Sequence, residues 1–304
     1  MRVDLLAGTG YSACTMPASV PTILVFDSGL GGLTVLSEAQ KVRPDARFVY
    51  AADVAGFPYG RLSEETLIGR VLAVMGRLIA LHAPDLAVVA CNTASTLVLP
   101  RLRERFSIPF IGTVPAIKPA AQLSRSKRIT VLATPGTVAR DYTRDLVETY
   151  ASGCAVNLVG SRRLAGFAED ELSGTPVPDH AIAAELRPCF VEDGILRTDV
   201  VALACTHYPL LLPRLQALAP WLVTWIDPAP AIAQRIVQLI GAPVAEAQTD
   251  GALGVFTGGM GLGPALRQAL AARGLQEVTV EPMPLTAEAE DRVQDQAPFS
   301  VRNP

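Results

Sequence analysis

The chain has 304 residues, with 26 Lys and Arg against 29 Asp and Glu, and half of its residues are hydrophobic while 6% are aromatic. A formal charge of −3 with scattered arginines argues against nucleic acid as a partner, and no apolar run approaches the ~20 residues that span a bilayer. The length exceeds that of a usual single domain and predicts two α/β domains, together burying roughly 75% of the unfolded surface.

Residues 1–20 read as a flexible N-terminal arm, because Asp4, Gly8 and Gly10 spoil both the charged and the apolar parts of a signal peptide. From Pro21 the pattern becomes regular. TILVF at 22–26 is a buried strand, Gly29, Gly31 and Gly32 turn the chain, and LTVLSEAQ from Leu33 starts a helix. RFVYA at 47–51 is the next strand, followed by a loop through Pro58, Tyr59 and Gly60. Ser63 and Glu64 open a long helix to about Leu81, and LAVVA at 86–90 is a third strand that ends at Cys91.

A second series repeats this grammar. ITVLA at 129–133 runs into Thr134-Pro-Gly-Thr137 and a helix, AVNLV at 155–159 is a strand, residues 178–193 read as helical, and VVALA at 200–204 ends at Cys205. LVTWI at 222–226, a helix from about 228 to 240, VFTGG at 255–259, a helix near 263–273 and VTVEPMPL follow. Short apolar strands alternating with helices imply parallel sheets covered on both faces. The expected division is a first domain of residues 21–114 plus 225–285, a second of 115–224 inserted into it, and a C-terminal tail over 286–304. Cys91 and Cys205 lie 205 − 91 = 114 residues apart, each at the carboxyl end of a buried strand, as a duplicated domain would place them.

Ligands of open α/β sheets collect at those carboxyl ends. The candidate loops are therefore Asp27-Ser28-Gly29, Pro58-Tyr59-Gly60, Cys91-Asn92-Thr93, Thr134 to Thr137 and Cys205-Thr206-His207. A cysteine at a helix N-terminus has its pKa lowered from about 8.5 and becomes a usable base. Two thiols on opposite sides of one carbon can take a proton from one face and return it to the other. His207 and Asp27 stand where each tunes a neighbouring thiol or shuttles a proton.

Plainer readings compete. A cysteine after a strand is commonly an inert buried hydrophobe, the reading kept for Cys14, Cys154 and Cys189. Asp27-Ser28 also suits a turn or N-cap, Asn92 and Thr93 suit helix caps, and Tyr59 suits a packed turn. Thr134 and Thr137 suit a helix start, and His207 suits an interfacial histidine. Gly29, Gly31 and Gly32 do not make GxGxxG, since Thr34 takes the last position. The cysteines form no CxxC and no disulfide framework, which points to a reducing, cytoplasmic setting. The histidines His82, His180 and His207 form no HxxxH, so no metal is expected. No lysine has a pyridoxal phosphate context, so no organic cofactor is expected.

FDSGLGGLTVL (26–36), FPYG (57–60), ACNTAS (90–95), LATPGTV (132–138) and ACTHYPLLLP (204–213), in this order, resemble glutamate racemase, within the aspartate/glutamate racemase superfamily. The resemblance runs over about residues 21–285. It implies two pseudo-symmetric α/β domains with the site in the cleft between them, and L- and D-glutamate interconverted without a cofactor to supply D-glutamate for peptidoglycan. It implies that Cys91 takes the proton from D-glutamate and Cys205 from L-glutamate. Asp27, Ser28, Tyr59, Gly60, Asn92, Thr93, Thr206 and His207 would bind the amino acid, with Thr134 and Thr137 at a carboxylate. A homodimer and, for some members, activation by a cell-wall precursor are also implied. The chain departs from the family's usual GDTAR with Ala51-Ala52-Asp53-Val54-Ala55-Gly56, and Glu169 stands as an equivalent of a second-domain acid outside the main assignment. The rivals are a superfamily relative acting on aspartate or a hydantoin, and a further role in restraining DNA gyrase through the arm.

Overall fold

A computed structural model describes residues 20–243, 251–258 and 261–283. The arm and the tail expected from the sequence lie outside the described residues, apart from Val20 at the arm's end. In chain order come β1 (Thr22–Asp27), α1 (Leu33–Val42), β2 (Arg47–Ala52), α2 (Glu64–His82), β3 (Leu86–Val89), α3 (Asn92–Arg105) and β4 (Phe110–Gly112). The chain then builds α4 (Ile117–Leu123), β5 (Arg128–Ala133), α5 (Pro135–Val138), α6 (Asp141–Tyr150), β6 (Ala155–Gly160), α7 (Leu164–Leu172) and α8 (Asp179–Leu186). The short strands β7 (Glu192–Asp193) and β8 (Leu196–Arg197) precede β9 (Val200–Ala204), α9 (Leu212–Leu218) and β10 (Thr224–Ile226). Last come α10 (Ala229–Ile240), β11 (Ala252–Phe256), α11 (Pro264–Ala271) and β12 (Glu277–Val280).

Two parallel sheets result, one in the order β12-β11-β2-β1-β3-β4 and the other β10-β9-β5-β6. The run β2-β1-β3-β4 of the first has the same order as β6-β5-β9-β10 of the second. β3 and β9 are therefore equivalent strands, and Cys91 and Cys205, which follow them, stand at equivalent places. Strand side chains alternate faces, so Ile23 and Val25 of β1 join one core cluster and Leu24 and Phe26 the cluster on the other face. The second sheet divides likewise, with Ile129 and Val131 on one side and Leu132 on the other. Helices thus cover both faces, and the strand ends remain for function.

The long second helix begins as its sequence dictates: the Ser63 side chain accepts from the Thr66 backbone N–H at 3.2 Å, and Glu64 and Glu65 occupy the positive first turn. Three features differ from the sequence expectation. The helix expected over 178–193 stops at Leu186, because a 3-10 turn at Arg187–Cys189 leads into the β7–β8 hairpin. LVTWI narrows to β10, which pairs with β9, so the return to the first sheet falls after Ile226, just beyond the expected boundary at 224/225. The edge strand β4, only three residues long, carries too little alternation to be read from sequence. No helix among the described residues is long and apolar enough to cross a membrane.

Candidate active site

The carboxyl ends of β1, β2, β3, β5 and β9 bring together Asp27, the 57–60 loop, Cys91, Thr134 and Cys205. Cys91 caps α3 from extended backbone, and Cys205 precedes a 3-10 turn at Tyr208–Leu211 rather than an α-helix. Both are almost enclosed, at 5% and 6% exposure.

The Cys91 thiol lies 3.6 Å from the Ser28 hydroxyl, and the Ala94 backbone N–H at the start of α3 also faces it. These contacts favour a thiolate, as the sequence suggested, but they lose. Burial first, and then the Asp27 charge, push the Cys91 pKa up to about 12. In this closed arrangement the helix terminus does not make Cys91 a resting thiolate. Asp27 is itself wholly buried; its Oδ2 accepts from the Gly32 N–H at 2.9 Å and its Oδ1 from the Thr206 hydroxyl at 3.3 Å. Burial outweighs those contacts and raises its pKa.

Cys205 has different company. Its sulfur is 3.8 Å from His207 Nδ1, while His207 Nε2 is 2.7 Å from Glu169 Oε1. Burial alone would lower the imidazole pKa, yet the contacts with Cys205 and Glu169 prevail and hold it well above 6.5. The Gly31 N–H also points at Nε2 from 3.2 Å, which suits a lone pair rather than a proton there. The shorter, charge-assisted contact with Glu169 decides for a protonated Nε2. Glu169 also accepts from the Leu30 N–H at 2.6 Å, tying the second domain to the first.

A third group crosses the cleft: the Thr93 hydroxyl is 2.8 Å from that of Thr134 and 3.3 Å from that of Thr137. Beside it, a β-carbon on Gly136 would stand 3.5 Å from the Gly60 α-carbon, and an Arg140–Glu64 ion pair flanks the same edge. Asn92 is 2% exposed, yet neither its Oδ1 nor its Nδ2 has a protein partner. A buried amide without partners costs free energy unless a ligand or water satisfies it.

Tyr59 is the expected site residue placed least as anticipated. Its hydroxyl donates to Asp53 Oδ2 at 2.5 Å, and Asp53 also receives Arg70 and, at 2.5 Å, the Thr257 hydroxyl. The proton of that hydroxyl is committed to Asp53. The sequence did hold a signal for this network: Arg70 falls on the buried stripe of α2 with Leu67, Val71 and Val74, where a charge demands a buried partner. Phe57, whose ring centroid lies 5.5 Å from that of His207, carried no such signal. Among the described residues no group of three or more His, Cys, Asp or Glu is arranged to hold a metal ion.

The family described as Asp/Glu/Hydantoin racemase matches residues 34–236. A glutamate racemase of Brucella ovis is 57% identical over 221 residues, 72% of this chain and 80% of that protein. The crystal structure of Escherichia coli glutamate racemase, in complex with L-glutamate and the activator UDP-MurNAc-Ala, is 38% identical with a TM-score of 0.80, over 86% of this chain and 98% of that one. The Thermus thermophilus glutamate racemase, in complex with beta-chloro-D-alanine, is 28% identical with a TM-score of 0.69, over 88% of this chain and 98% of that one.

Proposed function

Because the chain belongs to the Asp/Glu/Hydantoin racemase family, we propose that it interconverts L- and D-glutamate by two cysteines acting on opposite faces of the α-carbon. The observation that carries this reading is the equivalence of the two thiols. Each ends the matching strand of a repeated sheet order, and they are close enough for the charge on Cys205 to raise the pKa of Cys91.

Starting from L-glutamate, the Cys205 thiolate removes the α-proton, with the His207 imidazolium offsetting its charge beforehand. The electron pair left on the α-carbon delocalises into the carboxylate. The Cys91 thiol then gives its proton to the other face, leaving Cys91 as the thiolate and Cys205 as the thiol. The reverse passage begins from that state. A protonated Cys91, held so by burial and by Asp27, is the acid this direction requires. Asn92, with its unpartnered amide, and the N–H groups opening α3 are the donors for the substrate's carboxylate and its developing charge. The Thr93, Thr134 and Thr137 hydroxyls serve the second carboxylate. D-Glutamate so made is the peptidoglycan building block.

Circular dichroism of L-glutamate, L-aspartate and a hydantoin with the purified protein tests the substrate. Decay of the glutamate signal to zero, with the others slower by an order of magnitude or more, is the expected result. Preference for aspartate or the hydantoin would replace the reading with that of a superfamily relative.

A second proposal concerns activation. A groove of about 680 Å³ runs beside β4, lined by Arg103 and Phe106 at the end of α3 and by Arg235 and Leu239 of α10. Two guanidinium groups and an aromatic ring suit a pyrophosphate and a base. We propose that a nucleotide-sugar precursor such as UDP-MurNAc-Ala binds there and raises the rate. Unchanged activation in R235A would remove the groove from this role.

A further inference from the structure

We propose that Phe57 is a positioning residue for the Cys205 half of the site: its ring, supplied by the first domain, packs on His207 and holds the imidazole against Cys205. The inference rests on the racemase reading. Phe57 follows β2 in the loop that leads to Tyr59, whereas His207 follows β9 of the other sheet. Their ring centroids are 5.5 Å apart with planes inclined by 43°.

The other sides of the imidazole are accounted for. Nδ1 faces the Cys205 sulfur and Nε2 faces Glu169. A β-carbon on Gly31 would stand 2.4 Å from Nδ1, so the glycine loop presses directly against the ring. Gly29 forms a floor shared by Glu169, Phe57 and the imidazole: a β-carbon there would meet Glu169 Oε1 at 2.4 Å, Phe57 Cδ2 at 3.0 Å and His207 Nε2 at 3.3 Å. Phe57 is half-buried, whereas His207, on which it packs, is almost enclosed, at 2% exposure.

A phenyl ring at this range does two things. It removes water from one side of the imidazole, and within about 6 Å the electron-rich face of a phenyl ring favours a cation. The ionisable groups acting on His207 are Cys205 from its own segment, Glu169 from α7 and Asp27 from the end of β1. Cys205 and Glu169 favour the imidazolium, and Phe57 adds to them from across the cleft. The Cys205 half is thereby completed by contacts from the other domain, while the groups in contact with Cys91, namely Ser28, Asp27 and Ala94, belong to its own domain.

The chain has three histidines, so ring-labelled histidine NMR can follow each one. The test compares wild type, F57L and F57Y by His207 titration and by glutamate kcat and KM, with thermal melts to confirm folding; F57M replaces F57L if leucine does not fold. In F57L the His207 midpoint falls by about 0.5, and kcat drops about three- to tenfold with KM less affected. F57Y restores both, and the His82 and His180 midpoints stay in place. A His207 midpoint unmoved in F57L overturns the proposal, whatever happens to the rate. A wild type that fails to racemise glutamate while the F57L midpoint still falls would sink the substrate reading and leave the Phe57–His207 contact supported.

Discussion

The two halves of the site stand on the same strand positions and are built by different means. Around Cys91 the groups in contact with the thiol come from the first domain: the Ser28 hydroxyl, the Asp27 carboxylate and the start of α3, in a pocket where burial pushes its pKa up. Around Cys205 the support spans the cleft. His207 and Glu169 come from the second domain, and Leu30, Gly31 and Phe57 from the first. A repeated fold supplies two thiols at related places; under the proposed mechanism the side chains around them leave one as an acid and set the other beside a cation. Enantiomers have equal free energy in water, so the equilibrium constant is one and kcat/KM must be equal in both directions for any variant. The asymmetry can therefore appear only in kcat and KM separately, and in pH dependence.

The hardest way to break the comparison is to remove each thiol. C91S and C205S should each lose at least about 10³-fold in racemisation with little change in melting temperature, measured by polarimetry and thermal melts. Near-normal turnover by either would remove that cysteine from the mechanism. H207N should cost about 10²-fold and sharpen the contrast through pH. The His207 pKa is raised from 6.5, so its interaction stabilises the fold in full below that ordinary value and fades as pH climbs through the elevated one. The melting-temperature gap between wild type and H207N should accordingly be largest in mild acid and shrink in alkali. A gap independent of pH would contradict the ion pair.

Asn92 tests the Cys91 side. N92A should lower kcat/KM for glutamate about 10- to 100-fold, the worth of a hydrogen bond to a charged ligand. Its melting temperature should hold or rise, because the amide has no protein partner to lose; a marked fall would make Asn92 structural. The smallest effect is expected at the seam, where a β-carbon on Gly136 would stand 3.3 Å from Thr93 Cγ2. G136A should raise KM a few-fold, and an unchanged KM would mean that the Thr93–Thr134–Thr137 group tolerates displacement.

The fold was legible because its signals are local. Apolar runs such as TILVF and VVALA, bounded by glycine or small polar residues, mark strands and their ends, and ligand loops follow from that placement. Cys91, Cys205, Asp27 and the three threonines could be placed at or just beyond strand ends from the chain for this reason. What could not be read were contacts made across sequence distance. The shift of Tyr59 to Asp53 depends on Arg70 and Thr257, and the pairing of Glu169 with His207 depends on two domains meeting. The upward push on the Cys91 thiol illustrates the same limit: a helix terminus is visible in sequence, whereas burial and the nearby Asp27 charge are products of packing.

The most direct test of the two-sided account is proton NMR of the glutamate α-position in deuterium oxide, read together with circular dichroism to report the enantiomer, begun from each enantiomer with wild type, C91S and C205S. Wild type should form the opposite enantiomer from either start, with solvent deuterium at its α-carbon, and neither variant should form it. Product that keeps the original α-proton throughout, or racemisation surviving the loss of one thiol, would show that a single base serves both faces and contradict the account.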